Sequence, residues 1–234
     1  MKPSVSLFWF RRDLRLHDNA GLYHALKSGT PILPIFIFDR HILDQLEEKA
    51  DARVQFIRDS LSVIQEKLVK EGVTLEVYYG FPDEVFSKLL SAYQVVKVFA
   101  NHDYEPYARE RDAAVAKRLQ QEGIPLFTFK DQVIFEKDEI LKEDGKPYTI
   151  FTPYSKKWRA QLTDFTLRAY PVEKYLQNFY RQEVKALPSL SSMGFSASEL
   201  SIPPGSVKKA TLEKYAAQRD YPGIMGGMSR IGIH

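Results

Sequence analysis

Three polar clusters hold the residue types that could do chemistry: Arg11-Arg12-Asp13, Asp39-Arg40 and Asn101-His102-Asp103-Tyr104-Glu105. Each follows an apolar run rich in β-formers. The first is the densest: Val5 to Phe10 breaks into Arg11 to Asn19, which carries three arginines, two aspartates, a histidine and an asparagine. Guanidinium and carboxylate groups gathered at the carboxyl ends of parallel strands line the crevice where open α/β sheets take ligands. Taken singly, each cluster has a plainer use. Arginines after a strand are solvated, Asp39 can make a turn, Asn101 or Asp103 an Asx-turn, and Glu105 can favour a helix N-terminus. It is their recurrence along one predicted edge that argues for a crevice.

Several chemistries have no candidate. The turn after the first strand contains neither G-x-G-x-x-G nor G-x-x-x-x-G-K-[ST], so an ordinary dinucleotide or nucleoside-triphosphate site is not expected there. His17 and His102 share no ligand-like spacing with His24, His41 or His234, and no metal is expected. Without cysteine or a nucleophile elbow, catalysis by side chains alone has no visible centre, which points to a bound cofactor. Two further stretches invite a ligand. Lys156-Lys157-Trp158-Arg159 could hold phosphate and stack a base, but a solvated helix face with Trp158 packed inward is the simpler reading. Gly226-Gly227-Met228-Ser229-Arg230 resembles a phosphate-binding turn.

The elements that must position these residues alternate. A first strand ends at Phe10, and a helix capped at Asp18 presents Leu22, Ala25 and Leu26 until Gly29. Pro31 to Phe38 reads as a second buried strand. Val54, Ile57, Leu61, Ile64 and Leu68 mark the clearest helix, stopped by Gly72. A strand at Thr74 to Tyr79, a helix around Val85 to Leu90, and a strand at Val95 to Ala100 follow. Pro106 then opens a helix with Ala108, Val115 and Leu119 on its inner face, and Pro125 to Phe129 is a fifth strand. This order predicts an α/β fold: an open parallel five-stranded Rossmann-like sheet with helices on both faces. Beyond it, Asp144-Gly145 between apolar segments predicts a hairpin, and the serine- and proline-rich stretch 188–206 predicts a linker. The expected divisions are 1–135 for the α/β domain, 136–187 for a hairpin and helical extension, 188–206 for the linker, and 207–234 for the start of an all-helical domain missing beyond His234.

The chain has 234 residues, a formal net charge of +3 and 13% aromatic residues. That charge does not by itself establish a nucleic-acid partner. No run approaches the ~20 apolar residues that span a bilayer, and none resembles a signal-peptide core. With no cysteine to suggest an oxidising compartment, a cytoplasmic, monomeric protein without membrane attachment is expected.

Read together, the segments FWFRRDLRLHDN (8–19), FIFD (36–39), NHDYEPYARERD (101–112), YTIFTPY (148–154), KWR (157–159), RDYP (219–222) and Ser229-Arg230 resemble, in order, the amino-terminal part of the DNA photolyase/cryptochrome family. The resemblance implies a light-driven enzyme that splits cyclobutane pyrimidine dimers in ultraviolet-damaged DNA. Its α/β domain would hold an antenna pigment and its helical domain FAD. For the antenna it implies Arg11, Asp39, Asp103 and Glu105, the edge already singled out. Tyr107-Ala108 replaces the Asn-Glu pair of folate-binding members, which favours a deazaflavin or FMN over folate. For FAD it implies Tyr215, Ser229 and Arg230, with Met228 where the family usually has threonine. Two other readings stay open: a cryptochrome-type photosensor, and a stand-alone nucleotide-binding α/β domain with an adenine nucleotide near Arg11 and Asp39.

Overall fold

The computed structural model describes residues 2–200, 209–218 and 220. Five parallel strands, β1 (Ser4–Phe10), β2 (Ile32–Asp39), β3 (Glu76–Gly80), β4 (Gln94–Asn101) and β5 (Leu126–Phe129), lie in the order β3-β2-β1-β4-β5. This is the expected doubly wound sheet, with its order reversing between β1 and β4. β2 is buried along its whole length because neighbours flank it on both sides. Pro34 is tolerated there because pairing with β3 begins only at Ile35.

Side-chain alternation along β1 divides the core in two. Phe8 and Phe10 join a layer with Leu22 and Leu26 of α1 (Ala20–Leu26) and Leu61, Ile64 and Leu68 of α3 (Ala52–Lys70). Val5, Leu7 and Trp9 join the opposite layer, with Val85, Phe86 and Leu89 of α4 (Pro82–Ala92) and Val115 and Leu119 of α5 (Pro106–Gln121). A short helix, α2 (Arg40–Leu43), follows β2 directly.

Three expectations need correction. The cap of α1 is Asn19, whose side chain accepts the Leu22 N–H; Asp18 takes a left-handed backbone with φ of 44° and cannot cap. The Asp144-Gly145 hairpin is reduced to its turn, closed by the Lys142 N–H to Lys146 carbonyl bond, with no strands on either side. The following segment instead winds into α6 (Phe151–Ala160). The described part of the 188–206 stretch is no free surface segment, because Met193 and Phe195 are buried against the α1/α3 layer.

The chain also returns to the amino end of the sheet. Tyr180 donates its N–H to the Ile32 carbonyl at 2.8 Å, and Lys185 donates its N–H to Thr74 Oγ1 at 3.0 Å. Glu76, 2% exposed, anchors that return by accepting from Tyr93 at 2.5 Å, Gln182 at 3.0 Å, and also Lys185 and Tyr78. Burial raises the Glu76 carboxyl, but these donors together outweigh it and hold the group below its ordinary value.

Candidate functional site

The reversal between β1 and β4 is where a doubly wound sheet usually opens a ligand crevice. Here it is filled by the chain's own polar groups. Asn101, at the end of β4, donates to Asp13 Oδ2 at 2.5 Å and to Asn19 Oδ1 at 2.9 Å, and its Oδ1 accepts the Gly21 N–H at 2.8 Å. Asp131 accepts the Ala20 N–H at 2.8 Å and pairs with Arg15 at 2.8 Å. With Leu22 bonded to Asn19 at 3.0 Å, the first three N–H groups of α1 are all taken. A phosphate therefore finds no donor at this helix end. Gly21 is required by the same closeness: a Cβ there would lie 2.5 Å from Asn101 Oδ1.

The groups singled out in the sequence meet beside this plug, on the rim toward α5 and β3. Arg11 reaches from β1 to Asp112 of α5 and to the Asn101 carbonyl. Asp112 is shared with Arg111 at 3.0 Å, and Arg111 lies 3.8 Å from Asp103. Arg12 completes the chain of charges, 3.7 Å from Asp103 and 3.5 Å from Glu105. Asp39 caps α2 through the His41 N–H at 3.0 Å and accepts the Tyr107 hydroxyl at 2.6 Å. Burial pushes the Tyr107 phenol above its ordinary value, and the Asp39 hydrogen bond and charge push it further, so it stays protonated and donating. Aromatic faces line the same rim, with His41 4.6 Å from Phe81 and 6.1 Å from Tyr107.

Of the four expected antenna residues, Asp39 is buried, Arg11 and Asp103 are half-buried with side chains 7% exposed, all three are engaged within the chain, and the Glu105 side chain is 67% exposed. Arg12, 58% exposed, is the open cation of the group. Tyr215 lies half-buried in α7 (Lys209–Gln218); Ser229 and Arg230 fall outside the described residues. Lys156, Lys157 and Arg159 are exposed on α6 while Trp158, half-buried, packs edge-on to Phe135 at 5.7 Å. His102 is spent on Glu136, 2.8 Å from its Nδ1, and on Thr128 at 3.0 Å.

Sequence reasoning missed Trp9, Arg111 and Asp112 as part of this site. The signal was present: positions 108, 111, 112, 115 and 119 share one helical face, so Arg111 and Asp112 had to point at the sheet with Ala108 and Val115. Trp9 is 2% exposed, and both guanidiniums lie against it, Arg11 at 5.0 Å and Arg111 at 4.9 Å from the ring.

The structure defines a doubly wound α/β unit whose β1–α1 corner is closed by its own side chains and whose neighbouring edge gathers charged and aromatic groups. Comparison with known proteins gives the family. The DNA photolyase family model matches residues 6–174, and the chain belongs to the DNA photolyase family. It is 37% identical over 155 residues to a deoxyribodipyrimidine photo-lyase of Synechococcus sp. (strain ATCC 27144), covering 66% of this chain and 32% of that enzyme. An uncharacterised 31.6 kDa protein encoded in the atpI 5' region of Synechococcus sp. (strain PCC 6716) is 32% identical over 97% of this chain and 82% of its own length. Among solved structures, an archaeal photolyase from Sulfolobus tokodaii with two FAD molecules, implicating a novel light-harvesting cofactor, superposes with a TM-score of 0.55 at 32% identity, over 59% of this chain and 32% of that one. The chain thus spans about a third of each of the two photolyases. Among the described residues, no helix is long and apolar enough to cross a membrane.

Proposed function

We propose that this chain is the pigment-holding α/β unit of a light-driven DNA repair protein that splits cyclobutane pyrimidine dimers in ultraviolet-damaged DNA. The observation that carries the reading is the rim. Arg11, Arg12, Asp103 and Glu105 join one chain of charges at the carboxyl edge of the sheet, and Arg111 links that chain to Tyr107, which Asp39 holds beside His41 and Phe81. Such a donor set fits a flat heteroaromatic molecule with polar edges. When bound, the pigment would absorb light and pass the excitation to FAD, which Tyr215, Ser229 and Arg230 would help to hold. The chain's own residues supply the frame. Arg11, Arg111 and Asp112 brace one another, Asp39 fixes the Tyr107 hydroxyl, and Arg12 and Glu105, both exposed, would meet polar atoms of the ring.

Deazaflavin or FMN is the proposed pigment. Where folate-binding members present an Asn-Glu pair, this chain has a phenol committed to Asp39 and a buried Ala108. The sealed α1 terminus argues against the stand-alone nucleotide reading. A monomer in the cytoplasm completes the proposal. Titration of the purified protein with deazaflavin, FMN and reduced folate, followed by absorption, tests it. Stoichiometric uptake of a flavin-type ring with a shifted band is expected. Uptake of folate alone, or of no pigment at all, would overturn it, and a light-dependent assay on the longest natural chain separates repair from photosensing.

A further inference from the structure

Among the described residues, one buried side-chain polar atom lacks a hydrogen-bond partner: the indole Nε1 of Trp9. A buried donor left unpaired is costly, commonly ~1–3 kcal/mol. The ring packs edge-to-face on Phe86 at 5.2 Å and carries the guanidiniums of Arg11 and Arg111 at 5.0 and 4.9 Å. Arg111 also lies 5.9 Å from the Tyr107 ring. The carboxylates nearby serve the guanidiniums, Asp112 hydrogen-bonded to both and Asp103 ion-paired with Arg111, and none is bonded to the indole.

This is a poor setting for an electron donor. An electron leaving the Trp9 π-system for an excited acceptor would leave a cation on the ring, facing two positive groups in a buried site. Loss of the Nε1 proton would normally relieve that cation, and among the described residues no side chain or backbone group accepts from Nε1. We propose that Arg111, with Arg11, keeps Trp9 from giving up an electron, so that the indole walls the rim without quenching a pigment held there. Arg111 is in this sense a positioning and tuning residue. The inference rests on the pigment-holding reading for its purpose, although the property belongs to the ring itself.

The test therefore begins with the unloaded protein. In a Trp158→Phe background Trp9 is the sole tryptophan, and its oxidation by azide radical can be followed through the indole radical absorbance. Arg111→Gln is expected to make Trp9 oxidise about tenfold faster or more, given the strength of a unit charge at this distance. Arg111→Lys should return most of that difference. Asp112→Asn, which removes negative charge, should shift the rate the opposite way. A purely packing role for Arg111 would lower the melting temperature of both Arg111 variants and leave their oxidation rates alike. Rates equal within about twofold across wild type, Gln and Lys would overturn the proposal. With FMN bound, the emission lifetime should shorten in Arg111→Gln and recover in the double variant with Trp9→Phe; no recovery would also overturn it. If the wild type takes up no pigment while the oxidation rates differ as stated, the pigment-holding reading fails and the tuning of Trp9 stands.

Discussion

Replacing Asn101 should show whether the plug at the strand-order reversal holds the fold together. Asn101 is 3% exposed and fully used: its amide donates to Asp13 and Asn19, and its carbonyl oxygen accepts from Gly21. Asn101→Ala leaves the Gly21 N–H buried without an acceptor, which costs ~1–3 kcal/mol, and removes a hydrogen bond to a carboxylate worth ~1.5–3 kcal/mol. Asp13 keeps the Arg11 N–H at 2.9 Å and the Asn19 amide at 3.2 Å, so it is not stranded. The expected loss is therefore about 3–5 kcal/mol, a large share of the ~5–15 kcal/mol typical of a folded domain.

Asn101→Asp sharpens the test because it keeps the shape and the Gly21 acceptor. It places a second carboxylate where the amide now touches Asp13 at 2.5 Å. Two acids so close cannot both ionise, and the shared proton acquires a pKa raised above the ordinary ~3.9. A raised folded-state value means that the variant is penalised above it and relieved as pH falls through it. Urea unfolding at several pH values, with m held constant, reads both effects. Asn101→Asp should lose at least as much as Asn101→Ala near pH 7 and regain stability relative to wild type toward pH 4. Asn101→Ala should show no such recovery. A loss below about 1 kcal/mol for Asn101→Ala, or a flat pH response for Asn101→Asp, would refute the reasoning.

Three further outcomes follow from the same geometry. Gly21→Ala would put a Cβ 2.5 Å from Asn101 Oδ1 and 3.1 Å from the Phe8 ring, and because both neighbours are buried the melting curve should reveal a loss of about 1–3 kcal/mol. Glu76→Gln should cost about 2–4 kcal/mol at neutral pH by unfolding titration. Because the folded Glu76 value is depressed below 4.5, its contribution is fully present above that pH and lost as pH falls through the folded value, so the gap between wild type and variant should close in acid. Tyr107→Phe removes the donor to Asp39 and should cost about 1–2 kcal/mol of stability by denaturant melt. The same change should weaken FMN uptake in an absorption titration, whereas Lys157→Ala on the exposed face of α6 should leave uptake unaltered.

The strands and the long helices were legible because burial imposes a period on them. The 3–4 spacing from Val54 to Leu68 and the unbroken apolar run of β2 each left one structural choice. The rim was legible only as an edge. That Arg11, Asp39 and Asp103 lie together follows from strand order, but their partners could not be assigned from adjacency, because Arg11 and Asp112 are far apart in sequence. The Asp18 cap failed for a local reason: two cap-forming residues stand side by side, and only tertiary contacts decide that Asn19 faces the helix while Asp18 binds the Tyr170 N–H at 2.9 Å. The hairpin failed because a turn signal fixes a turn and not the strands beside it. Ile150 and Phe151 are better used starting a helix that sets Trp158 against Phe135.

The sealed corner and the open rim are two consequences of one arrangement. In doubly wound sheets the first helix commonly spends its free N–H groups on a ligand phosphate, which ties recognition to the β1–α1 turn. Here Asp131 and Asn101 supply those acceptors from within, so the β1–α1 turn becomes structural and its arginines are released for other work. Arg15 serves the seal by pairing with Asp131. Arg11 and Arg12 turn the other way, toward α5, where Asp112, Asp103 and Glu105 receive them. The charged groups of the carboxyl edge are thereby gathered sideways along the sheet, toward α5 and the turn before it. On the proposed pigment-holding reading, loosening the plug should therefore disturb FMN uptake at the rim even though no plug residue lies in the Phe81, His41 and Tyr107 aromatic set.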